Sequence, residues 1–123
     1  MVIGMETEET IKQSEILSPI IKPTYNCNLR CGYCYEGDNS DKSTMTDDVL
    51  EALLRKTAVY NGKHESVFIW HGGEPLLMGL GFFRKVVEIT DSLKSYKIKH
   101  SIQTNLTLLT DEMLDFFAEN CFC

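Results

Sequence analysis

The sequence predicts an α/β fold with parallel strands, and its apolar pattern and its length are the observations that predict it. Apolar runs of strand length alternate three times with segments whose apolar residues recur at helical spacing, and a further apolar run begins at the chain end. Such strand–helix–strand units give parallel strands joined by right-handed crossovers. At 123 residues, the chain is too short for a complete (β/α)8 barrel of about 250 residues.

The first predicted unit contains a long polar loop between its strand and its helix. Residues 1–15 are polar and acidic and are expected to form a flexible leader, and the short apolar run at 16–23, which contains two prolines, predicts a strand. Residues 24–43 show no helical periodicity and are predicted to be mainly loop, which at this length is usually functional. Thr46, followed by two acidic residues, predicts a helix start, and Asn61 with Gly62 predicts its end.

The second and third predicted units follow without a linker. Residues 67–70 form a continuous apolar run, which is typical of a strand buried on both faces, and a helix is predicted around residues 82–93. Residues 98–103 predict a third strand, and Thr110 predicts the start of a third helix. Residues 121–123 then open a fourth strand, so we expect one domain over residues 16–123 after the leader.

The composition excludes several classes of protein. With 12 basic and 18 acidic residues the net charge is −6, which argues against a general nucleic-acid binder. No apolar run is long enough to span a bilayer, so no membrane partner is expected. The five cysteines are an odd number and follow no secretory signal, which favours a reducing cytoplasm and metal binding over disulfides.

Three cysteines lie within eight residues in the loop that follows the first predicted strand. Cys27, Cys31 and Cys34 are at the end of the sheet where α/β proteins place their ligands. Thiolates select zinc, copper(I) or iron–sulfur clusters. Structural zinc needs four ligands, which here would require His71 or Cys121, whereas three thiolates on a [4Fe–4S] cluster leave one iron open to a small molecule. The remaining alternative is that the three thiols bind no metal and are simply part of the loop.

The second and third predicted strands also end in polar or glycine-rich segments. Gly72 and Gly73 allow a sharp turn and close approach of a ligand, Glu74 supplies an acceptor for a cationic amine, and Pro75 ends strand pairing. Residues 103–105, Gln-Thr-Asn, end the third strand. Taken singly, each segment is also compatible with an ordinary strand-ending turn.

The string Cys-x₃-Cys-x-Tyr-Cys, followed by Gly-Gly-Glu-Pro, resembles the radical S-adenosylmethionine (radical SAM) superfamily. The resemblance implies that Cys27, Cys31 and Cys34 hold a [4Fe–4S] cluster whose fourth iron chelates the amino and carboxylate groups of SAM. The reduced cluster would pass one electron to SAM, giving methionine and a 5′-deoxyadenosyl radical that abstracts hydrogen. The implied fold is a partial (β/α)6 TIM-like barrel, of which this chain holds the N-terminal half.

The resemblance also implies roles for the remaining motif residues. Tyr33 would lie against the adenine, although packing on the barrel rim is the alternative. The segment formed by Gly72, Gly73, Glu74 and Pro75 would contact the methionyl amine. Gln103 and Asn105, preferred over Thr104, would reach the SAM carboxylate and ribose. Leu106 stands where relatives have Gly, which matters only if that backbone needs a positive φ.

Within the superfamily, the chain is most similar to the anaerobic sulfatase-maturating and SPASM-type peptide-modifying enzymes. This similarity implies a peptide or protein substrate and a one-electron donor such as flavodoxin or ferredoxin. The fourth-strand motif and the catalytic acid–base groups of those enzymes would lie beyond Cys123, so no catalytic residue is assigned and the chain is expected to be an N-terminal fragment. A non-enzymatic zinc module and an inactive fragment with open sheet edges are the alternatives.

Five other residues are given structural interpretations. Trp70 is expected to be a buried strand residue. His71 is expected to be a structural histidine with satisfied hydrogen bonds, and a contact with the cofactor is the alternative. His100 is expected to be exposed because its neighbours are polar. Cys121 and Cys123 are interpreted as small buried residues of the fourth strand, with a second metal site as the alternative.

Overall fold

A computed structural model describes residues 15–29, 43–120 and 122, in which parallel strands alternate with helices. The elements are β1 (Ile20–Ile21), α1 (Asp47–Asn61), β2 (Ser66–Trp70), α2 (Gly79–Asp91), β3 (Ile98–Ile102) and α3 (Asp111–Glu119). The three strands pair in the order β1-β2-β3, and both pairings are parallel. The predicted α/β class and parallel sheet are therefore confirmed, and each crossover adds its strand on the same side of the preceding one, as in a barrel.

The helix boundaries follow the predicted capping residues. Thr46 accepts a hydrogen bond from the Val49 N–H at the start of α1, and Thr110 accepts one from the Met113 N–H at the start of α3. At the end of α1, Gly62 has a φ of 58°, which glycine adopts without steric cost. A 3-10 turn over Pro75–Met78, which periodicity did not predict, precedes α2.

The first and third strands are shorter than predicted. Within the expected range 16–23 only Ile20–Ile21 is strand, and the third strand ends at Ile102 instead of residue 103. Proline lacks the N–H that a ladder needs, which limits β1 on either side of Ile20–Ile21. Backbone contact nevertheless continues outside β1, because the Ile69 N–H donates to the Pro19 carbonyl at 3.0 Å.

One face of the sheet packs against the hydrophobic core. Ile21, Phe68 and Trp70 lie on that face in the hydrophobic core, and the burial of Trp70 confirms its predicted place. Ile69 is half-buried and its partner Ile20 is 63% exposed on the opposite face. The prediction that the second strand is buried on both faces is therefore wrong for the described residues. Consecutive right-handed crossovers place α1 and α2 on one side of the sheet, which explains the difference.

His100 is buried, contrary to the prediction that it is exposed. Its side chain is 4% exposed, stacks on Phe122 at 4.5 Å between ring centroids, and accepts a hydrogen bond from the Trp70 indole N–H at 3.1 Å. Burial without a compensating charge lowers its pKa from 6.5 to about 4. Phe122 also makes a parallel bridge to His100, beside β3 where a fourth strand is expected, while Cys121 and Cys123 lie outside the described residues.

Within residues 15–29, 43–120 and 122, no helix combines the length and the apolar character that crossing a membrane requires.

Candidate functional site

Three segments converge at the carboxyl edge of the sheet, where parallel α/β sheets bind their ligands. They are residues 22–29 after β1, residues 71–74 after β2 and residues 103–107 after β3. The first two run side by side beyond the strands: the N–H groups of His71, Gly73 and Glu74 donate to the carbonyls of residues 21, 24 and 26 at 2.8, 3.0 and 2.7 Å. The cysteine loop and the Gly-Gly-Glu-Pro segment are thus joined backbone to backbone.

The two glycines of that segment are required by this close approach. Gly72 has a φ of 106°, and a Cβ there would lie 2.6 Å from the Thr24 carbonyl oxygen. A Cβ on Gly73 would overlap the carbonyl oxygens of Tyr25 and Asn26. Any larger residue would therefore push the loop that carries Cys27 away from the segment after β2.

Glu74 connects the second and third segments from a buried position. Its side chain is 1% exposed, and the Thr104 hydroxyl donates to both carboxylate oxygens, at 2.9 Å to Oε1 and 2.7 Å to Oε2. The Asn105 N–H donates to Oε1 and the Leu76 N–H to Oε2, each at 2.8 Å. These three groups supply three hydrogens, against about four acceptor positions on a carboxylate. Glu74 thus holds the segment after β3, and its predicted contact with a ligand amine stays a prediction.

A cavity of about 210 Å³ opens between the segments after β2 and β3. Its lining consists of two consecutive stretches, which are His71, Gly72, Gly73 and Glu74 on one side and Gln103, Thr104 and Asn105 on the other. The structure therefore brings the residues predicted to contact SAM to one cavity, with the exception of Pro75 and Tyr33. Pro75 is buried at the first position of the 3-10 turn, and Tyr33 lies outside the described residues.

Cys27 is half-buried at the same edge of the sheet. Its sulfur accepts hydrogen bonds from the Leu29 N–H at 3.4 Å and from the Asn105 side-chain amide at 3.9 Å. Cys31 and Cys34 lie outside the described residues, so the three-thiolate ligand set stays a prediction.

The residues of the segment after β3 lie in different surroundings: Gln103 is exposed, whereas the Thr104 hydroxyl donates to Glu74. The preference for Gln103 and Asn105 over Thr104 as contacts of SAM stays a prediction. A hydroxyl at the end of the strand next to a buried acid is the signal that could have identified the pair of Thr104 and Glu74. Leu106 has a φ of 67°, so the backbone does adopt the conformation that favours glycine at this position. His71 accepts a hydrogen bond from the Gly72 N–H at 2.7 Å and also lines the cavity, so its structural interpretation stays a prediction.

Comparison with known sequences identifies similar proteins across most of the chain. The profile of the radical SAM superfamily matches residues 21–122. The cysteine-type anaerobic sulfatase-maturating enzyme of Clostridium perfringens is 39% identical over 115 residues, covering 86% of this chain and 31% of that enzyme. The serine-type anaerobic sulfatase-maturating enzyme of Bacteroides thetaiotaomicron is 36% identical over 118 residues, covering 84% of this chain and 28% of that enzyme.

Solved structures agree with the sequence comparison. The histidine-tagged form of anSMEcpe with bound AdoMet superposes with a TM-score of 0.80 at 37% identity, covering 88% of this chain and 30% of that one. Native anSMEcpe with bound AdoMet and the Cp18Cys peptide gives a TM-score of 0.78 at 37% identity, with the same coverage. The chain thus spans less than a third of the length of these relatives.

Proposed function

Because the chain belongs to the radical SAM superfamily, we propose that Cys27, Cys31 and Cys34 hold a [4Fe–4S] cluster beside a SAM site at the carboxyl edge of the sheet. The observation that supports this most strongly is the cavity between the Gly-Gly-Glu-Pro and Gln-Thr-Asn segments, which lies next to the Cys27 loop. The donor set fits the group, because thiolates are the ligands of iron–sulfur clusters and three of them leave one iron open.

The residues of the chain then have distinct tasks around the bound cofactors. When bound, the cluster and SAM supply a 5′-deoxyadenosyl radical, formed with methionine when one electron from a flavodoxin- or ferredoxin-type donor breaks a C–S bond of SAM. The glycines let the backbone approach the methionyl part closely, and the exposed Gln103 side chain is available to its carboxylate. Glu74 acts indirectly, by holding Thr104 and the Asn105 backbone in place.

The proposed substrate is a peptide or protein, as in sulfatase maturation. Two features support this class: the similar relatives reported above are sulfatase-maturating enzymes, and one similar solved structure holds a peptide together with AdoMet. Since the chain covers 31% of the first of these relatives, the hydrogen abstraction and the acid–base chemistry are proposed for the enzyme to which this segment corresponds.

Counting iron and sulfide after anaerobic reconstitution tests the cluster directly. We expect about four iron and four sulfide per chain, because three thiolates and an open iron describe a cubane cluster. Cys31→Ala is expected to lose this content, whereas Cys121→Ala is the matched control and is expected to keep it. A wild-type chain that carries tightly held zinc instead, or no chromophore at all, would contradict the proposal.

A further inference from the structure

The side chain of Asn105 lies between the cysteine loop and the turn that follows β3, and its orientation is determined by its neighbours. Asn105 Oδ1 accepts hydrogen bonds from the Thr107 backbone N–H at 3.0 Å and from the Thr107 hydroxyl at 2.7 Å. A backbone N–H can only donate, so the amide oxygen must face Thr107. The NH₂ group therefore points the other way, toward the cysteine loop.

The NH₂ group has two acceptors in that loop. Asn105 Nδ2 lies 3.0 Å from Asn28 Oδ1 and 3.9 Å from Cys27 Sγ, so its two hydrogens serve one acceptor each. The backbone N–H of Asn105 is held at the same time by the buried carboxylate of Glu74, at 2.8 Å. Asn105 is thus held by hydrogen bonds on both sides, and its NH₂ group faces the Cys27 sulfur. A second donor, the Leu29 N–H, contacts the same sulfur.

Hydrogen bonds to a ligating sulfur change the energetics of a cluster. They stabilise the more negative, reduced state more than the oxidised one, and they are among the factors that set cluster potentials. The chain has a net charge of −6, which by itself disfavours adding an electron. A hydrogen bond to the sulfur therefore favours reduction of the cluster, which the negative net charge of the chain disfavours.

We propose that Asn105 is a positioning residue whose amide donates to the Cys27 sulfur and raises the reduction potential of the cluster. This inference rests on the proposed function, in which Cys27 is a ligand. Asn105 would then have two roles. One is the predicted contact with SAM, and the other is the hydrogen bond to a sulfur ligand of the cluster.

The test is a redox titration of the reconstituted chain in the absence of SAM, followed by the cluster absorbance. Asn105→Asp keeps the oxygen that faces Thr107 and replaces the donor with an acceptor, and Asn105→Ala removes the donor without adding a charge. Both variants are expected to have a midpoint potential more negative than that of the wild type.

Asn28→Ala is the matched control. It removes the other acceptor of the same NH₂ group and also the bond from Asn28 Nδ2 to the Thr107 hydroxyl at 2.7 Å, so both side-chain bonds between the two loops are lost while the donor to sulfur stays in place. Its midpoint potential is expected to equal that of the wild type, which separates donation to sulfur from a general loosening of the loop.

The outcomes distinguish this inference from the proposed function. A wild-type chain that binds no cluster overturns both. A wild-type chain with a cluster whose potential is unchanged in Asn105→Ala, or lowered equally in Asn28→Ala, overturns the inference alone.

Discussion

Leu106 has the one positive φ found at a non-glycine position among the described residues. The angle is 67°, and the side chain is 61% exposed, so little burial compensates for the conformation. A left-handed backbone costs an ordinary residue about 1–2 kcal/mol, and glycine avoids this but loses about 0.5–1 kcal/mol through chain entropy. Leu106→Gly is therefore expected to raise the free energy of unfolding by about 0.5–1 kcal/mol. Urea unfolding followed by the fluorescence of the single tryptophan, Trp70, measures it.

The comparison for this prediction is Leu106→Ala. Alanine also removes the exposed side chain but keeps the backbone cost, so no gain is expected. Equal gains in the Ala and Gly variants would show that the exposed leucine, and not its φ, is the cause.

His100 makes the stability of the fold depend on pH. Its imidazole titrates near 6.5 in the unfolded chain and at about 4 in the folded one, so between these values the unfolded chain binds the extra proton. The stabilisation is complete above pH 6.5 and is lost as the pH falls toward 4, by up to about 3 kcal/mol for a shift from 6.5 to about 4. Protonation of the nitrogen that accepts from Trp70 would also break that hydrogen bond.

Unfolding free energies at several pH values between 4 and 7 test this. The carboxylates titrate below about pH 5 as well, so the effect is taken as the difference from His100→Asn, which retains an acceptor but no titration. We expect the wild type to lose more stability than the variant on acidification. If the unfolding free energies of the wild type and His100→Asn fall equally with pH, His100 is not the cause of the pH dependence.

Between elements, the contact between the segment after β2 and the cysteine loop depends on Gly73. The Gly73→Ala Cβ would overlap two carbonyl oxygens of that loop, and backbone cannot move aside as a flexible side chain can. We expect a loss of about 2–3 kcal/mol in the free energy of unfolding, together with less iron bound after reconstitution because Cys27 is displaced.

Gly81→Ala is the matched control for Gly73→Ala. Gly81 lies in α2, with nothing within 4 Å of an added Cβ, so the same substitution is expected to stabilise the chain by about 1 kcal/mol through helix propensity. Retained stability and iron content in Gly73→Ala would show that the loop adjusts and that the close approach is not needed.

Local signals predicted the elements well, whereas contacts between elements were not accessible from the sequence. The caps at Thr46 and Thr110 are local, because a side chain bonds to a backbone three residues away. The bond between Thr104 and Glu74 joins residues 30 positions apart, so no local pattern contains it. His100 was misjudged because its polar neighbours, Lys99 and Ser101, point to the opposite face of the strand.

At the scale of the whole molecule, the order of strands and the clustering of motifs were predictable together. Parallel strands in chain order bring their carboxyl ends to one edge, so motifs that follow successive strands must meet there. The φ of Leu106 and the amide orientation of Asn105 depend on how these segments pack, and only the structure shows them.

We propose that this edge of the sheet holds a cluster whose open iron faces SAM. Electron paramagnetic resonance of the reconstituted, dithionite-reduced chain, with and without SAM, tests it most directly. Because SAM would bind the open iron, we expect the signal of a reduced [4Fe–4S] cluster whose g-values shift when SAM is added. A cluster signal that SAM leaves unchanged, or no cluster signal, would contradict it.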